Sequence, residues 1–315
     1  MRKIIAIGES VLDTIFKNDM PVKSFVGGRI ANAASSLALS GLNVLMVSEC
    51  GNDHVGDIVI DFLKGNHVDV TSVDRYVNGT TAFSAIFESD NHETRHVNYG
   101  TYPIDRFDVV WPRINEDDIV LFGSLYAIEN PQRGRLYEIL QYAYDRKAIM
   151  VYLPGFQHGI NYSITKVMPN VLENFELSNV VVANNKDIHD IFPREDGKQA
   201  YRNHMIYCNS FLHIGDDFST TVYGKGSEEA VGIPGDPKGN LLGWQAGYTA
   251  GVIYGMVTEG VTHKNIDKTE SDVWVRVART ASEFAAECAS STNNCVGADF
   301  AQLKSEAISK ILAEE

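Results

Sequence analysis

The chain has 315 residues, of which 44% are hydrophobic and 22% are charged, a composition typical of a globular protein. Its formal net charge is −14, which argues against a nucleic-acid partner or an anionic membrane surface, because both attract basic patches. The composition therefore favours an enzyme or a small-molecule binder.

Short runs rich in Val and Ile alternate with helical patterns along most of the chain. The predicted strands are 3–7, 43–48, 118–122, 148–153, 179–183 and 211–214. The predicted helices are 29–40, 58–64, 133–145, 163–172, 271–290 and 300–312. Apolar strands separated by helices predict a parallel sheet that is covered by helices on both faces.

Two segments, 15–26 and 80–97, break this alternation. Within the second, TTAFSAIFES and TRHVNY are typical of antiparallel strands around the turn SDNH. These segments predict a small sheet beside the main one. The stretch STTVYG, after Asp217, has the pattern of a further hairpin.

Segment 241–258 is free of charged residues and has a glycine at every fourth position from Gly243 to Gly255. A membrane span is disfavoured because the segment contains Gln245 and Thr249, and because no second such segment exists. We expect a buried helix whose glycine face is approached closely by another group.

The N-terminal residues and the cysteines indicate in which compartment we expect the protein. MRKIIAIGES has no apolar run of signal-peptide length, since an acid arrives by Glu9. The cysteines have neither C-x-x-C spacing nor histidines at metal-site spacing, so we expect reduced, mostly buried thiols in a cytoplasmic protein. These residues are Cys50, Cys208, Cys288 and Cys295.

Polar and glycine residues follow the first predicted strands. In IIAIGESVLD, Asp13 comes just after the end of a strand, where ligands of parallel sheets bind, although it could also be a surface or capping acid. In FVGGRIANAASSLALSG, Gly27 and Gly28 allow close backbone approach and Asn32 lies one turn into a helix. The plainer interpretation is a glycine turn followed by a polar residue on a buried helix.

The next strand, NVLMVSECG, runs into GNDHVGD. The whole stretch GGRIANAASSLALSGLNVLMVSECGNDHVG resembles the N-terminal signature of the ribokinase-like, or PfkB-type, carbohydrate kinases. Later pieces follow the order of that family: TTAFSAIF resembles a lid strand, IVLFGSLYAI the mid-domain strand, and VVVANNKDIHDIF the segment with Asn and Glu three residues apart. FLHIGDDFSTTVY resembles the Thr-x-Gly-x-x-Gly turn, NNCVGA the turn near the adenine, and AGYTAGVIYGM the helix after the catalytic turn.

The resemblance implies a three-layer α/β/α fold, with a mostly parallel sheet and a small antiparallel β lid. Residues 1–315 would form one kinase domain, with the lid at about 15–26 and 80–107. The implied reaction is transfer of the γ-phosphoryl group of ATP, with Mg²⁺, to a hydroxyl of a small sugar or sugar acid. Pairing of lid strands between subunits would make a homodimer.

The family motifs also imply site residues. On the sugar side these are Asp13, Gly27, Gly28 and Asn32, with Arg95 as a residue that either reaches an anionic substrate or pairs on the surface. On the nucleotide side they are Asn184, His213, Gly215, Gly243 and Gly297, of which Asn184, together with Asp187, would serve the metal.

The catalytic turn departs from the family. The family motif is Asp-x-x-Gly-Ala-Gly-Asp, and its last Asp is the base. NLLGWQA aligns with it here, so that Trp244 and Gln245 replace Ala-Gly and Ala246 stands at the position of the base. A shifted alignment matches Asp236 and the glycine of DPKG to the start of the motif, but it supplies no second Asp.

Other departures lie on the same side: His213 replaces a threonine, Phe218 replaces the second glycine of its turn, and Asp187 is shorter than the usual Glu. Two hypotheses therefore stay open: a functioning sugar kinase in which Asp236 or another acid replaces the base, and a catalytically inactive sugar or nucleotide binder. A dinucleotide oxidoreductase is disfavoured because no G-x-G-x-x-G follows the first strand.

Overall fold

A computed structural model describes residues 2–89, 92–98, 100–102, 108–129, 133–156, 163–224, 227–231 and 241–314. The strands in these ranges are β1 (Lys3–Ile7), β2 (Val11–Lys17), β3 (Met20–Gly27), β4 (Asn43–Gly51), β5 (Asp69–Tyr76), β6 (Phe83–Ser89), β7 (His92–Asn98), β8 (Ile119–Gly123), β9 (Ile149–Leu153), β10 (Val180–Asn184), β11 (Ser210–Ile214), β12 (Thr220–Gly224) and β13 (Ser227–Val231). The helices are α1 (Arg29–Leu39), α2 (His54–Gly65), α3 (Tyr126–Glu129), α4 (Arg133–Asp145), α5 (Ile164–Leu177), α6 (Asn185–Ile191), α7 (Gly197–His204), α8 (Leu241–Thr258), α9 (Ser271–Ser290) and α10 (Ala298–Glu314).

The larger sheet has nine strands in the order β13-β12-β11-β10-β9-β8-β1-β4-β5. Its pairs from β5 to β11 are parallel, and β12 and β13 add two antiparallel strands at one end. Every residue of β8 and β9 is buried, because helices cover both faces of the sheet. The predicted mostly parallel sheet is confirmed.

The parallel strands end at one edge of this sheet. The turns that follow β1, β4, β8, β9, β10 and β11 therefore lie along that edge, which is where ligands bind in open parallel sheets. Two buried apolar clusters flank the sheet: Leu212 belongs to one of them, and its neighbour Phe211 belongs to the other.

The smaller sheet has the order β3-β2-β6-β7. The pairs β2–β3 and β6–β7 are antiparallel, as expected for hairpins, whereas β2 and β6 are parallel. Phe16 of β2 and Phe87 of β6 stack with ring centroids 4.9 Å apart, which adds side-chain contact to the central pair. The predicted small sheet is confirmed, and β2 is one of its inner strands.

The glycine face of α8 packs against α9. A Cβ atom on Gly247 would lie 2.5 Å from the carbonyl oxygen of Phe284, and one on Gly251 would lie 2.5 Å from the Cα of Ala281. The group that the glycine pattern predicted is thus a neighbouring helix. Within the described part of the chain, no helix is both long and apolar enough to cross a membrane.

Candidate active site

Asp13 lies near the start of β2 and only 2% of its surface is exposed. The pairing of β2 with β3 brings Gly27 over this carboxylate, since Val11 lies opposite Gly27. A Cβ atom on Gly27 would lie 1.9 Å from Oδ2 of Asp13, so no other residue fits here without displacing the acid. The structure therefore brings together the first two predicted sugar-side residues.

Gly28 and Asn32 continue the same group at the start of α1. Gly28 has a φ of 101° and is the N-cap of the helix, and a Cβ atom there would lie 2.4 Å from the carbonyl oxygen of Glu9. The backbone N–H of Asn32 donates to the Gly28 carbonyl at 3.0 Å, and the Asn32 residue is 4% exposed. The double glycine therefore packs this helix start directly against the turn after β1.

Asp53 of the Gly-x-Asp-x-x-Gly motif has a structural role. Its carboxylate caps α2 by accepting from the N–H of Gly56 at 2.7 Å. It also accepts from both the N–H and the hydroxyl of Thr81 at 2.7 Å. Burial acts to raise the pKa of Asp53, but these hydrogen bonds outweigh it and the pKa is lowered. The motif thus ties α2 to the segment that enters β6.

A buried carboxylate, Glu49, lies near the end of β4 and was missed by the sequence reasoning. It accepts hydrogen bonds from the hydroxyls of Tyr76 at 2.8 Å and Tyr126 at 3.4 Å, while Tyr102 donates to its backbone carbonyl at 3.4 Å. Burial first, and then the charge of Glu49, raises the pKa of all three tyrosines. No sequence signal could have found this group, because the tyrosines come from separate segments.

Asn184 and Asp187, the predicted metal residues, form a capping box at the start of α6. The N–H of Asp187 donates to Oδ1 of Asn184 at 2.7 Å, and the N–H of Asn184 donates to Oδ2 of Asp187 at 3.2 Å. Among the described residues, here as well as in the rest of the fold, no three His, Cys, Asp or Glu side chains are grouped as a metal site requires. The two predicted residues are therefore together, and they serve the local backbone.

Arg29, the first residue of α1, reaches the same carboxylate. Its Nη1 and Nη2 atoms lie 3.1 and 3.3 Å from Oδ1 and Oδ2 of Asp187. This ion pair joins the double glycine of the sugar side to the predicted metal residue of the nucleotide side. Sequence reasoning missed Arg29, and the available signal was a cation placed directly after Gly27 and Gly28.

His213 lies on β11, and its ring lies against Gly197 at the start of α7. A Cβ atom on Gly197 would be 2.5 Å from Nδ1 of His213. Burial lowers the pKa of this imidazole, and the nearby carboxylates of Asp196 and Asp216 oppose the shift. Since side chains alternate along a strand, His213 shares the sheet face of Phe211 and lies on the face opposite Leu212.

The other predicted turn lies between β11 and β12. The N–H of Phe218 donates to the carbonyl of Gly215 at 3.0 Å, and Phe218 has a φ of 63°, a region that favours glycine. Its ring meets the edge of Trp244, with centroids 5.1 Å apart, and Trp244 stacks on Tyr248 at 5.3 Å. Trp244 is 3% exposed and Ala246 is fully buried, so aromatic packing occupies the first turns of α8.

The remaining predicted residues differ in how far the structure describes them. A Cβ atom on Gly243 would lie 2.5 Å from the carbonyl oxygen of Cys288, and the N–H of Gly297 donates to Oε1 of Glu287 at 3.2 Å, so both glycines contact α9. Arg95 is a residue of β7 and lies opposite Ile86 of β6, but the side chain of Arg95 is outside the described part of the structure. Asp236 is also outside the described residues.

Asp13, Gly27, Gly28 and Asn32, the residues that the family resemblance implies for the sugar side, thus lie together at the starts of β2 and α1. A family model described as "pfkB family carbohydrate kinase" matches residues 1–231. The chain belongs to the PfkB family of carbohydrate kinases.

Two relatives of this PfkB family protein match part of its sequence. The ATP-dependent 6-phosphofructokinase of Thermoanaerobacterium thermosaccharolyticum is 25% identical over 164 residues, which are 50% of this chain and 51% of the relative. A relative from Pyrococcus horikoshii that bears the name "Putative sugar kinase" is 24% identical over 146 residues, 44% of this chain and 47% of the relative. The matches thus span about half the length of each relative.

Solved structures resemble the PfkB family protein over nearly its whole length. A fructokinase from Vibrio cholerae with fructose, ADP and calcium bound has a TM-score of 0.79 and 14% identity, covering 93% of this chain and 94% of its own. Aminoimidazole riboside kinase from Salmonella enterica, with aminoimidazole riboside and an ATP analogue, has a TM-score of 0.78 and 14% identity, covering 96% and 100%. At these identities the likeness shows a shared fold.

Proposed function

We propose that the protein is a sugar kinase that transfers the γ-phosphoryl group of ATP to a hydroxyl of a small sugar or sugar acid. The observation that carries this proposal is the buried carboxylate of Asp13, which is held beneath Gly27 on β2, the strand that follows the turn after β1. A carboxylate in that position accepts hydrogen bonds from sugar hydroxyls, and Asn32 adds an amide that both donates and accepts.

ATP as the phosphoryl donor is supported by relatives of the same fold. The similar structure of the Vibrio cholerae fructokinase has ADP bound, and that of the Salmonella enterica aminoimidazole riboside kinase has an ATP analogue bound. In this chain the nucleotide would lie near the turn at Gly215 and the start of α8. Mg²⁺ would enter bound to the phosphates of ATP, which carry the negative charge that it neutralises.

The proposed reaction also needs a residue that accepts the proton of the sugar hydroxyl, and the family motif does not supply one in this chain. Ala246 is buried and has no group that takes up a proton. We propose Asp236, which precedes α8 in the chain, as the acid in its place. A general base contributes typically about 10² to 10⁴ in rate, whereas most of phosphoryl-transfer catalysis comes from positioning and electrostatics. Turnover without any replacement acid would therefore be slow rather than zero.

We further infer that two copies pair through the smaller sheet, whose outer strands are β3 and β7. Unpaired backbone groups on outer strands form hydrogen bonds readily with another copy, which favours a homodimer. A cytoplasmic location is also proposed. The four cysteines are free and buried, which is compatible with a reducing compartment.

The proposed activity can be tested by measuring ADP release from ATP and Mg²⁺ with hexoses, pentoses, keto-deoxy sugars and nucleosides. We expect one sugar class to support turnover in the wild type. Asp13→Asn should abolish it through lost sugar binding, and Asp236→Asn should lower kcat by about 10² or more while sugar binding remains. Asp61→Asn, at an exposed position of α2, is the matched control and should leave the rate unchanged.

Two outcomes would contradict parts of this proposal. If none of these compounds supported turnover although calorimetry showed that the protein binds a sugar, the alternative of a binder without catalytic activity would be supported. If Asp236→Asn retained the wild-type kcat, another group would be the proton acceptor.

A further inference from the structure

The ion pair between Arg29 and Asp187 has the geometry of a forked contact. Two N–H groups of one guanidinium face the two oxygens of one carboxylate, at 3.1 and 3.3 Å. Both side chains are mostly buried, with 20% and 12% of their surfaces exposed. The partners come from the first turns of α1 and α6, so the contact crosses from the sugar side to the nucleotide side.

The donor set around Asp187 does not fit a directly bound Mg²⁺. Each of its carboxylate oxygens faces a guanidinium N–H, and Oδ2 also accepts from the backbone of Asn184. The amide oxygen of Asn184 in turn accepts from the backbone of Asp187. A divalent cation at these oxygens would have to displace Arg29, because the two positive charges would repel each other at contact distance.

Arg29 keeps donors beyond those that Asp187 uses. A guanidinium carries five N–H groups in a planar fork, and the Nε of Arg29 is buried without a hydrogen-bond partner among the described residues. Each Nη atom also carries a second N–H group beyond the contact with Asp187, and 20% of the side chain is exposed, so a second acceptor can approach the guanidinium from that side. Guanidinium binds phosphate oxygens with the same forked geometry that it uses for carboxylates.

We propose that Arg29 is a phosphate-binding cation that takes over part of the role of Mg²⁺ in holding the terminal phosphates of the nucleotide. Asp187 pairs with the guanidinium when no nucleotide is bound, and its carboxylate competes with the phosphate for the same cation. This inference rests on the proposed function, because it requires a nucleotide at this edge of the sheet. It predicts nucleotide binding that depends only weakly on the metal.

The test is the dissociation constant of ADP for the full-length protein, measured by titration calorimetry with Mg²⁺ and then with EDTA. Wild type should lose at most about tenfold in affinity when the metal is removed. Arg29→Ala should bind about 10- to 100-fold more weakly than wild type in EDTA, the size of a charge-assisted hydrogen bond, with a smaller loss in Mg²⁺. Arg29→Lys should lie between them, since an ammonium keeps the charge without the fork.

Asp187→Asn separates this role from a purely structural ion pair. An asparagine keeps an oxygen for the capping box but releases the guanidinium, so ADP affinity in EDTA should equal or exceed that of the wild type. If the ion pair had only a structural role, Arg29→Ala and Asp187→Asn would both break it. The two variants would then weaken ADP binding to the same extent. Arg276→Ala, which removes an exposed pair with Glu259 and Asp272, is the control and should behave as the wild type.

The outcomes distinguish the inference from the proposed function. Wild type that binds no ADP with or without Mg²⁺ would overturn both. Wild type that binds ADP, with Arg29→Ala unchanged or weakened equally in Mg²⁺ and EDTA, would overturn only the role of Arg29. Thermal unfolding of each variant, measured in parallel, identifies any loss of affinity that follows from a loss of fold.

Discussion

The sugar side and the nucleotide side of the site both depend on glycines, but their missing Cβ atoms make room for different neighbours. Gly27 leaves space for the carboxylate of Asp13, a group of the site itself. Gly243, on the nucleotide side, leaves space for the carbonyl group of Cys288 in α9. A glycine in a motif therefore shows that some group comes close to the backbone, and only the structure shows which group it is.

The two sides also differ in what fills them. Near Gly27 and Gly28 the buried residues include the polar Asp13 and Asn32, whereas the start of α8 is filled by the ring of Trp244. The buried side chains of one side are therefore polar, whereas those of the other side form aromatic packing that stabilises the fold.

The largest effect is expected at Trp244, whose ring is buried between Phe218 and Tyr248. Trp244→Ala should lower the free energy of unfolding by about 3–5 kcal/mol, measured by urea denaturation, because a large cavity remains. Trp111→Ala is the control: Trp111 is 42% exposed and should cost much less. If Trp244→Ala and Trp111→Ala lowered the free energy of unfolding equally, the ring of Trp244 would not be part of the hydrophobic core.

Gly27→Ala tests the sugar side. The added methyl would overlap the Asp13 carboxylate, so we expect a loss of about 1–3 kcal/mol in stability together with a loss of sugar binding. Gly134→Ala, at a helical position with open space, should instead stabilise the protein by up to about 1 kcal/mol. Unchanged sugar affinity in Gly27→Ala would remove Asp13 from the proposed site.

The packing of α8 on α9 can be tested within one helix. Gly247→Ala should cost about 1–3 kcal/mol, partly offset by the better helix propensity of alanine. At Gly255 the nearest atom to an added Cβ is the Cα of Val277 at 3.1 Å, so Gly255→Ala should cost less. Chemical denaturation of both variants measures the difference, and the reverse order would contradict this account of the glycine face.

The smallest effect concerns pH. The folded pKa of His213 is lowered by burial, so below about pH 6.5 the unfolded chain binds a proton that the folded chain does not. The contribution of neutral His213 to the free energy of unfolding is therefore fully present above that pH. It falls as the pH decreases towards the folded pKa, by at most about 1.4 kcal/mol per pH unit. His213→Gln should lose less stability than wild type between about pH 7.5 and pH 5.5. Parallel losses would contradict the burial effect.

Much of the fold was predictable because apolar periodicity is local. The predicted segments 3–7, 133–145 and 271–290 coincide with β1, α4 and α9. The helix expected from residue 58 begins at His54 instead, because Asp53 caps its first turn with a side chain that periodicity does not register. Strand β5 was missed, since the polar and charged residues of Asp69–Tyr76 hide its pairing with β4.

The candidate site was predictable only where a motif carries it. Asp13, Gly27, Gly28 and Asn32 were identified from the family pattern, and the structure places them together. The pair between Arg29 and Asp187 and the tyrosines around Glu49 join residues that are far apart in sequence. Such contacts depend on which strands become neighbours in the sheet, and the order of strands cannot be read from local spacing.

The position of β2 has a mechanical consequence. This strand carries Asp13 and is also an inner strand of the smaller sheet, bonded to β3 on one side and β6 on the other. Any displacement of that sheet relative to the nine-stranded sheet moves the carboxylate with it. If the protein has the proposed sugar-kinase function and the smaller sheet is its lid, sugar binding and lid movement would then be a single kinetic event, observed in stopped-flow mixing as one exponential phase rather than two.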